Sequence, residues 1–264
     1  MSRVTLARGE HAATLLIDNP QRGNALTPAM MSDARDLLSG LAGAVREGDR
    51  VGALIVRGAG ERAFCAGYDL ASLAEETRAR PGLVIPELLE LVEVLVTFPS
   101  PTIAALNGHA IGGGALLASL CDLRYARRGV RFRIPTTRIG IVYPLPGLRR
   151  LVALLGFGRA AEVLLLADDV LDEQGLAWGL YQDLTDSMSD LEDRVEGVAQ
   201  DLSRRAPLAI RGTLDVLRGG AGGLEPASVA ELHAGWVAQC VASDDLAEGL
   251  AAARDRREPV FKGA

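Results

Sequence analysis

The sequence predicts an α/β fold, rich in strands at first and in helices later. Three observations predict it. Up to about residue 145, short apolar runs ending in turn residues alternate with amphipathic stretches. Beyond that point apolar residues recur at helical spacing almost to the last residue. The 264 residues contain no linker rich in Pro, Gly or Ser, and this length suits one large domain or one domain with an appendage. The division expected is a core over 1–200 followed by a helical region over 201–264.

Each element has its own signal. Residues 12–17 (AATLLI) are apolar and stop at Asp18-Asn19-Pro20, so a strand and a turn are expected. Thr27-Pro28 reads as an N-cap with proline in the first helical position, opening a helix to about Val45. Residues 51–56 (VGALIV) read as a buried strand, and residues 86–96 as a helix with a wide apolar face. Residues 102–106 (TIAAL) form a short strand before Asn107-Gly108 and Gly112-Gly113-Gly114, after which 115–120 resumes helical character. Short extended segments follow at 123–126 and 130–132. Helices are then expected at 148–155, 159–166, 173–180, 190–204, 207–217, 227–241 and 246–256, with Gly219-Gly220-Ala221-Gly222-Gly223 as a helix–helix connection.

Composition removes several functions. With 28 basic and 34 acidic residues the net charge is −6, which disfavours binding to nucleic-acid phosphates. Lys262 is the sole lysine beside 27 arginines, so Schiff-base, P-loop and lysine-base chemistry lack their ammonium. His11, His109 and His233 are the only histidines. Cys65, Cys121 and Cys240 have neither disulfide-framework nor zinc-site spacing, and a reducing, cytoplasmic setting is expected. Arg3, Arg8 and Glu10 interrupt the stretch where a signal peptide needs an apolar run. Residues 94–121 carry no charge, but Pro99, Pro101 and three consecutive glycines argue against a spanning helix.

Two segments share one logic: a buried strand, then small residues, then a helix. Residues 51–57 lead to Ala66-Gly67-Tyr68-Asp69, and residues 102–106 lead to Gly112-Gly113-Gly114. Backbone stripped of side chains at a helix start presents N–H donors. Two such loops facing each other would form an oxyanion hole, whereas each alone is also an ordinary turn.

Five stretches, in order, carry a resemblance: NPQRGNAL (19–26), AFCAGYDL (63–70), PTIAALNGHAIGGGALLASLCD (101–122), DDVLDEQGLAWGLYQDL (168–184) and PVFK (259–262). On these the chain resembles the enoyl-CoA hydratase/isomerase, or crotonase, superfamily over nearly its whole length. The resemblance implies a ClpP-like spiral of ββα units with a helical C-terminal trimerisation region. It also implies an acyl-CoA ligand, no cofactor beyond the coenzyme A of the substrate, no metal, and a homotrimer or a hexamer built as a dimer of trimers. Carried over by position, the amides of Tyr68 and Gly113 hold the thioester oxygen, with Ala25, Ala66, Gly67 and Gly112 around the ligand. Arg22 matches a position that meets a coenzyme A phosphate or is a solvated arginine. Phe261 and Lys262 resemble tail residues that reach the adenine end from a neighbouring subunit. Asp69 is expected to cap the next helix.

Hydratases of this family use two glutamates, and the matching positions here are Leu116 and Thr136. Neither is a general base. Decarboxylation of a malonyl-type thioester needs no proton abstraction, because departing carbon dioxide itself generates the enolate. The loop 140–147 (GIVYPLPG) resembles that of methylmalonyl-CoA decarboxylase, which implies that Tyr143 meets the substrate carboxylate and that Tyr143→Phe abolishes turnover. Tyr143 reads equally as a core aromatic with a satisfied hydroxyl. That decarboxylase departs from this chain by a histidine in place of Tyr68 and a glutamate in place of Leu116. Arg133 and Arg138 flank the loop as alternative carboxylate partners. His109 reads as packing, and Cys65 lacks an activating histidine nearby in sequence. A non-catalytic acyl-CoA-binding protein and a divergent isomerase or hydratase stand as alternatives.

Overall fold

Two sheets built in alternation organise the chain. A computed structural model describes residues 2–69, 71–72 and 85–263; Leu70, which ends the AFCAGYDL stretch, lies outside the described residues. The first sheet contains β1 (Arg3–Arg8), β2 (Ala12–Asp18), β3 (Ala53–Gly58), β5 (Thr102–Leu106), β7 (Leu123–Arg127) and β10 (Asp183–Thr185), in the order β1-β2-β3-β5-β7-β10. From β2 onward neighbours are parallel, and β1 pairs antiparallel with β2. The second sheet contains β4 (Ala63–Cys65), β6 (His109–Ile111), β8 (Arg131–Arg133) and β9 (Val170–Leu171). The chain therefore lays β3 then β4, β5 then β6, and β7 then β8, one strand in each sheet per turn. This is the ββα spiral that the resemblance implies.

Both faces of the first sheet are covered at β2, β3 and β5, which explains why these strands read as continuous apolar runs. Leu54, Val56, Ala104 and Leu106 enter the main core with α1 (Pro28–Arg46) and α2 (Pro86–Val96). Ala53, Ile55, Ile103 and Ala105 face α6 (Met188–Ser203), whose Leu191, Val195 and Ala199 are buried against them. Leu191 and Val195 each contribute roughly 1.5–3 kcal/mol by leaving water. Thr27 accepts a hydrogen bond from Met30 N, the cap its sequence predicts.

After α3 (Gly113–Leu120) the chain forms α4 (Leu145–Leu166) and α5 (Asp172–Ala177). The two helices expected at 148–155 and 159–166 are the two arms of α4, broken at Gly156 (φ 74°). The helices α7 (Pro207–Gly222), α8 (Pro226–Val241) and α9 (Asp244–Asp255) complete the fold. One expectation is corrected here: Gly219 to Gly222 belong to α7, and Gly223 (φ 84°) alone caps it. At Gly219 a methyl would come within 2.9 Å of Leu224, so the missing side chain lets that leucine pack close to the helix.

The region α7 to α9 is tied to the core through Arg218. Its guanidinium donates to Asp122 at 2.9 and 2.5 Å and to Phe98 O at 2.6 Å. Burial alone would raise the Asp122 carboxyl, but Arg218 and then Thr102 hold it below the usual carboxylate range. By contrast α8 buries none of its residues, and Val237, Val241, Leu246 and Leu250 stand exposed on α8 and α9. No helix among the described residues is long and apolar enough to cross a membrane.

Candidate active site

The site forms where the chain leaves β3 and β5 for the second sheet. Asn107 is fully buried between these exits. Its Oδ1 accepts from Gly58 N at 3.0 Å, and its Nδ2 donates to Gly60 O at 2.7 Å and Ala63 O at 3.2 Å. Asn24, in a left-handed conformation (φ 59°), holds the neighbouring loop: its Nδ2 donates to Ala63 O at 2.7 Å and its Oδ1 accepts from Asn19 N. Asn19 in turn donates to Ala25 O at 2.9 Å, and Ala66 N donates to Gly23 O at 2.9 Å. These asparagines explain physically why the NPQRGNAL and LNGH motifs lie beside the site. In the sequence Asn19 and Asn107 read as turn residues and Asn24 only as part of the NPQRGNAL stretch; their scaffold role emerges from the partners that folding brings to them.

The two glycine loops then meet. Gly67 has φ 97°, where a side chain would be strained, and a methyl placed on it would sit 2.8 Å from Ile111 O and 2.9 Å from Gly113 N. A methyl on Gly113 would lie 3.4 Å from Tyr68 N. Leu26 and Tyr68 form a parallel bridge, with Leu26 N donating to Gly67 O and Asp69 N donating to Leu26 O, both at their respective 2.8 and 2.9 Å. In that pattern the Tyr68 N–H points away from Leu26. Gly113 opens α3 with no side-chain cap, so its amide is one of the helix's unused donors. The amides of Tyr68 and Gly113 thus converge, with Ala66 exposed and Gly112 and Gly113 half-buried beside them. Ala25 is buried just behind this loop.

The positions of the expected glutamates lie next to this pair. Leu116 is fully buried, one turn into α3 from Gly113. Thr136 is nearly buried in the short 3₁₀ turn Thr136–Arg138; Pro135 lies within 4.0 Å of a methyl placed on Gly112. Among the described residues no cluster of His, Cys, Asp or Glu could hold a metal ion.

Tyr143 is placed beside Leu116, the position of the first expected glutamate. Its side chain is buried, and the space beside Gly147 that holds its ring also holds Leu116. Burial raises its phenol pKa, and the enclosed hydroxyl has no hydrogen-bond partner among the described residues.

The other candidates are also placed. Arg133 lies 3.5 Å from Asp169, and Arg138 lies 2.7 Å from Asp168, so both guanidinia already face carboxylates. His109 sits among Arg131, Asp169, Arg62 and Arg127; burial, then Arg131, lowers its pKa. Cys65 is fully buried, and burial pushes its thiol up to about 12, so it is no nucleophile at neutral pH. Arg22 donates to Asp69, and Asp69 accepts from Ser72 N at 3.0 Å, the helix-capping role expected of it. Phe261 rests on Gly249, and Lys262 N donates to Asp245 at 2.6 Å. Both belong to the α9 end of the chain.

Comparison with known proteins gives the family. Residues 8–264 match the family model for enoyl-CoA hydratase/isomerase. The chain is 30% identical over 253 residues to the human mitochondrial enoyl-CoA hydratase domain-containing protein 2, covering 94% of this chain and 85% of that protein. It is 27% identical to the (E)-benzylidenesuccinyl-CoA hydratase of Thauera aromatica, across 99% of both. The crystal structure of an enoyl-CoA hydratase from Bacillus anthracis superposes with a TM-score of 0.88 at 25% identity, covering 99% of this chain and 100% of that one. With the family model, the relatives and the fold in agreement, the chain belongs to the enoyl-CoA hydratase/isomerase, or crotonase, family of enzymes that act on acyl-CoA.

Proposed function

We propose that this enzyme decarboxylates a malonyl-type acyl-CoA thioester. The observation that carries the reading is the convergence of the Tyr68 and Gly113 amides beside a fully buried Leu116, with Thr136 at the second acid–base position. As the bond to the carboxylate breaks, carbon dioxide leaves and its electron pair moves into the thioester carbonyl. The two amides hold the resulting oxyanion, and one fixed donor of this kind stabilises it by about 3–4 kcal/mol. Water then protonates the α-carbon, giving acyl-CoA. The apolar side chain of Leu116 solvates a carboxylate poorly and favours its loss.

The test is a panel of malonyl-, methylmalonyl-, crotonyl- and palmitoyl-CoA analysed by mass. Carbon dioxide release from the malonyl esters, lost in Gly113→Pro, supports the reading; turnover of crotonyl-CoA alone contradicts it. The absence of carboxylates at 116 and 136 also favours a second reading, an acyl-CoA-binding protein that turns over no member of the panel yet binds palmitoyl-CoA tightly.

The exposed apolar residues of α8 and α9 support assembly into a trimer, or a dimer of trimers, in which Phe261 and Lys262 reach a neighbour's ligand. Sedimentation of a monomer at micromolar concentration would contradict that assembly.

A further inference from the structure

Arg22 lies on the loop that closes over Tyr68, and its Nη1 stands 2.5 Å from Asp69 Oδ2. Asp69 directly follows the proposed oxyanion donor. Its other oxygen accepts from Ser72 N at 3.0 Å and Ser72 Oγ at 3.2 Å, while its own amide is bonded to Leu26 O. The carboxylate is thus held by Ser72 on one oxygen and by Arg22 on the other, and the backbone by Leu26. It lies just beneath the surface, with 8% of the side chain exposed. The Ser72 amide and then Arg22 hold its carboxyl below the usual carboxylate range, so Asp69 is ionised at neutral pH.

A fixed negative charge one residue from the hole opposes the negative charge that must develop on the thioester oxygen. Something must cancel it. Among the described residues the cation in contact with Asp69 is Arg22. A guanidinium held this way is only partly available to a coenzyme A phosphate, the role that its sequence position suggested. Asp69 itself is needed, since it ties the loop of Leu26 to the start of the next helix. The arrangement therefore keeps the tether and removes its field.

We propose that Arg22 is a positioning residue for the oxyanion hole: it neutralises Asp69, so that the Tyr68 amide meets the thioester oxygen without an opposing charge. This rests on the reading of Tyr68 and Gly113 as the oxyanion donors. It assigns Arg22 to the carbonyl end of the substrate, not to the phosphate end.

The experiment follows the carbonyl stretch of [1-¹³C]hexanoyl-CoA bound to the full-length protein by infrared difference spectroscopy, with the dissociation constant measured in parallel. In the wild type the band shifts to lower frequency than in water. Arg22→Ala reduces that shift and changes the dissociation constant less than twofold. Arg22→Lys keeps it. The double variant Arg22→Ala/Asp69→Asn recovers it, because asparagine retains the cap and lacks the charge. A tenfold loss of affinity in Arg22→Ala with an unaltered band would instead place Arg22 on the phosphate and overturn the proposal. So would a double variant as impaired as the single one, which would mark Arg22 as merely structural. If Gly113→Pro leaves the wild-type band unchanged, the amide-pair reading itself fails, independently of Arg22.

Discussion

The short helix α3 carries both halves of the site, and the two halves differ. Its first residue, Gly113, contributes a backbone amide that converges with Tyr68. One turn later the side chain is Leu116, fully buried against the ring of Tyr143, where hydratases of this family place a carboxylate. Backbone donors survive side-chain replacement because the fold alone positions them. Acid–base groups do not, since one substitution removes each. A chain can therefore keep the capacity to hold an enolate while losing the capacity to move protons.

The largest effect should come from rebuilding the missing half. Leu116→Glu combined with Thr136→Glu should raise crotonyl-CoA hydration about 10²–10⁴-fold over the parent, the range of general acid–base contributions. Burial will raise the carboxyl pKa at position 116. The product, 3-hydroxybutyryl-CoA, is measured by mass, with circular dichroism confirming the fold.

Breaking the amide half comes next. Gly113→Pro removes one donor at a first helical position that tolerates proline, so turnover should fall about 10²–10³-fold. An unchanged melting curve separates this from unfolding. A smaller effect is expected on the apolar side. A methyl on Gly147 would meet Leu116 Cδ1 and Tyr143 Cε1, each at 2.5 Å. Gly147→Ala should therefore cost about 1–3 kcal/mol by overpacking, read as a lower midpoint in thermal unfolding. The smallest effect is reserved for Tyr143→Phe. Backbone amides carry the proposed chemistry and the buried hydroxyl has no hydrogen-bond partner among the described residues, so turnover should change less than twofold and stability should hardly change. Loss of activity in that variant would restore Tyr143 to the chemistry.

Much of this was legible in the sequence, for physical reasons. β2, β3 and β5 are buried on both faces, so their apolar runs are unmistakable, and Thr27-Pro28 marks its helix by local hydrogen bonding alone. The strands β4, β6 and β9 span only two or three residues and gain their character from neighbours in the second sheet. No local pattern encodes them. The glycine loops were visible as motifs, but the burial of Tyr143 depends on packing around Leu116 and Gly147, residues brought there by α3 and α4. The pairing of Arg22 with Asp69 spans 47 residues and likewise has no local signature.

The most direct test of the central claim, that backbone amides and no titrating base carry the chemistry, is the pH profile of kcat/KM for carbon dioxide release from methylmalonyl-CoA between pH 6 and 9. The Asp69 pKa is lowered in the fold, so its contribution is complete above the ordinary carboxylate value and is lost only as the pH falls through the lowered one. Cys65 titrates near 12 and Tyr143 is raised by burial. The account therefore predicts a flat profile across this window. A bell-shaped profile, or a limb with an apparent pKa between 6 and 8, would reveal a general base at work and contradict it.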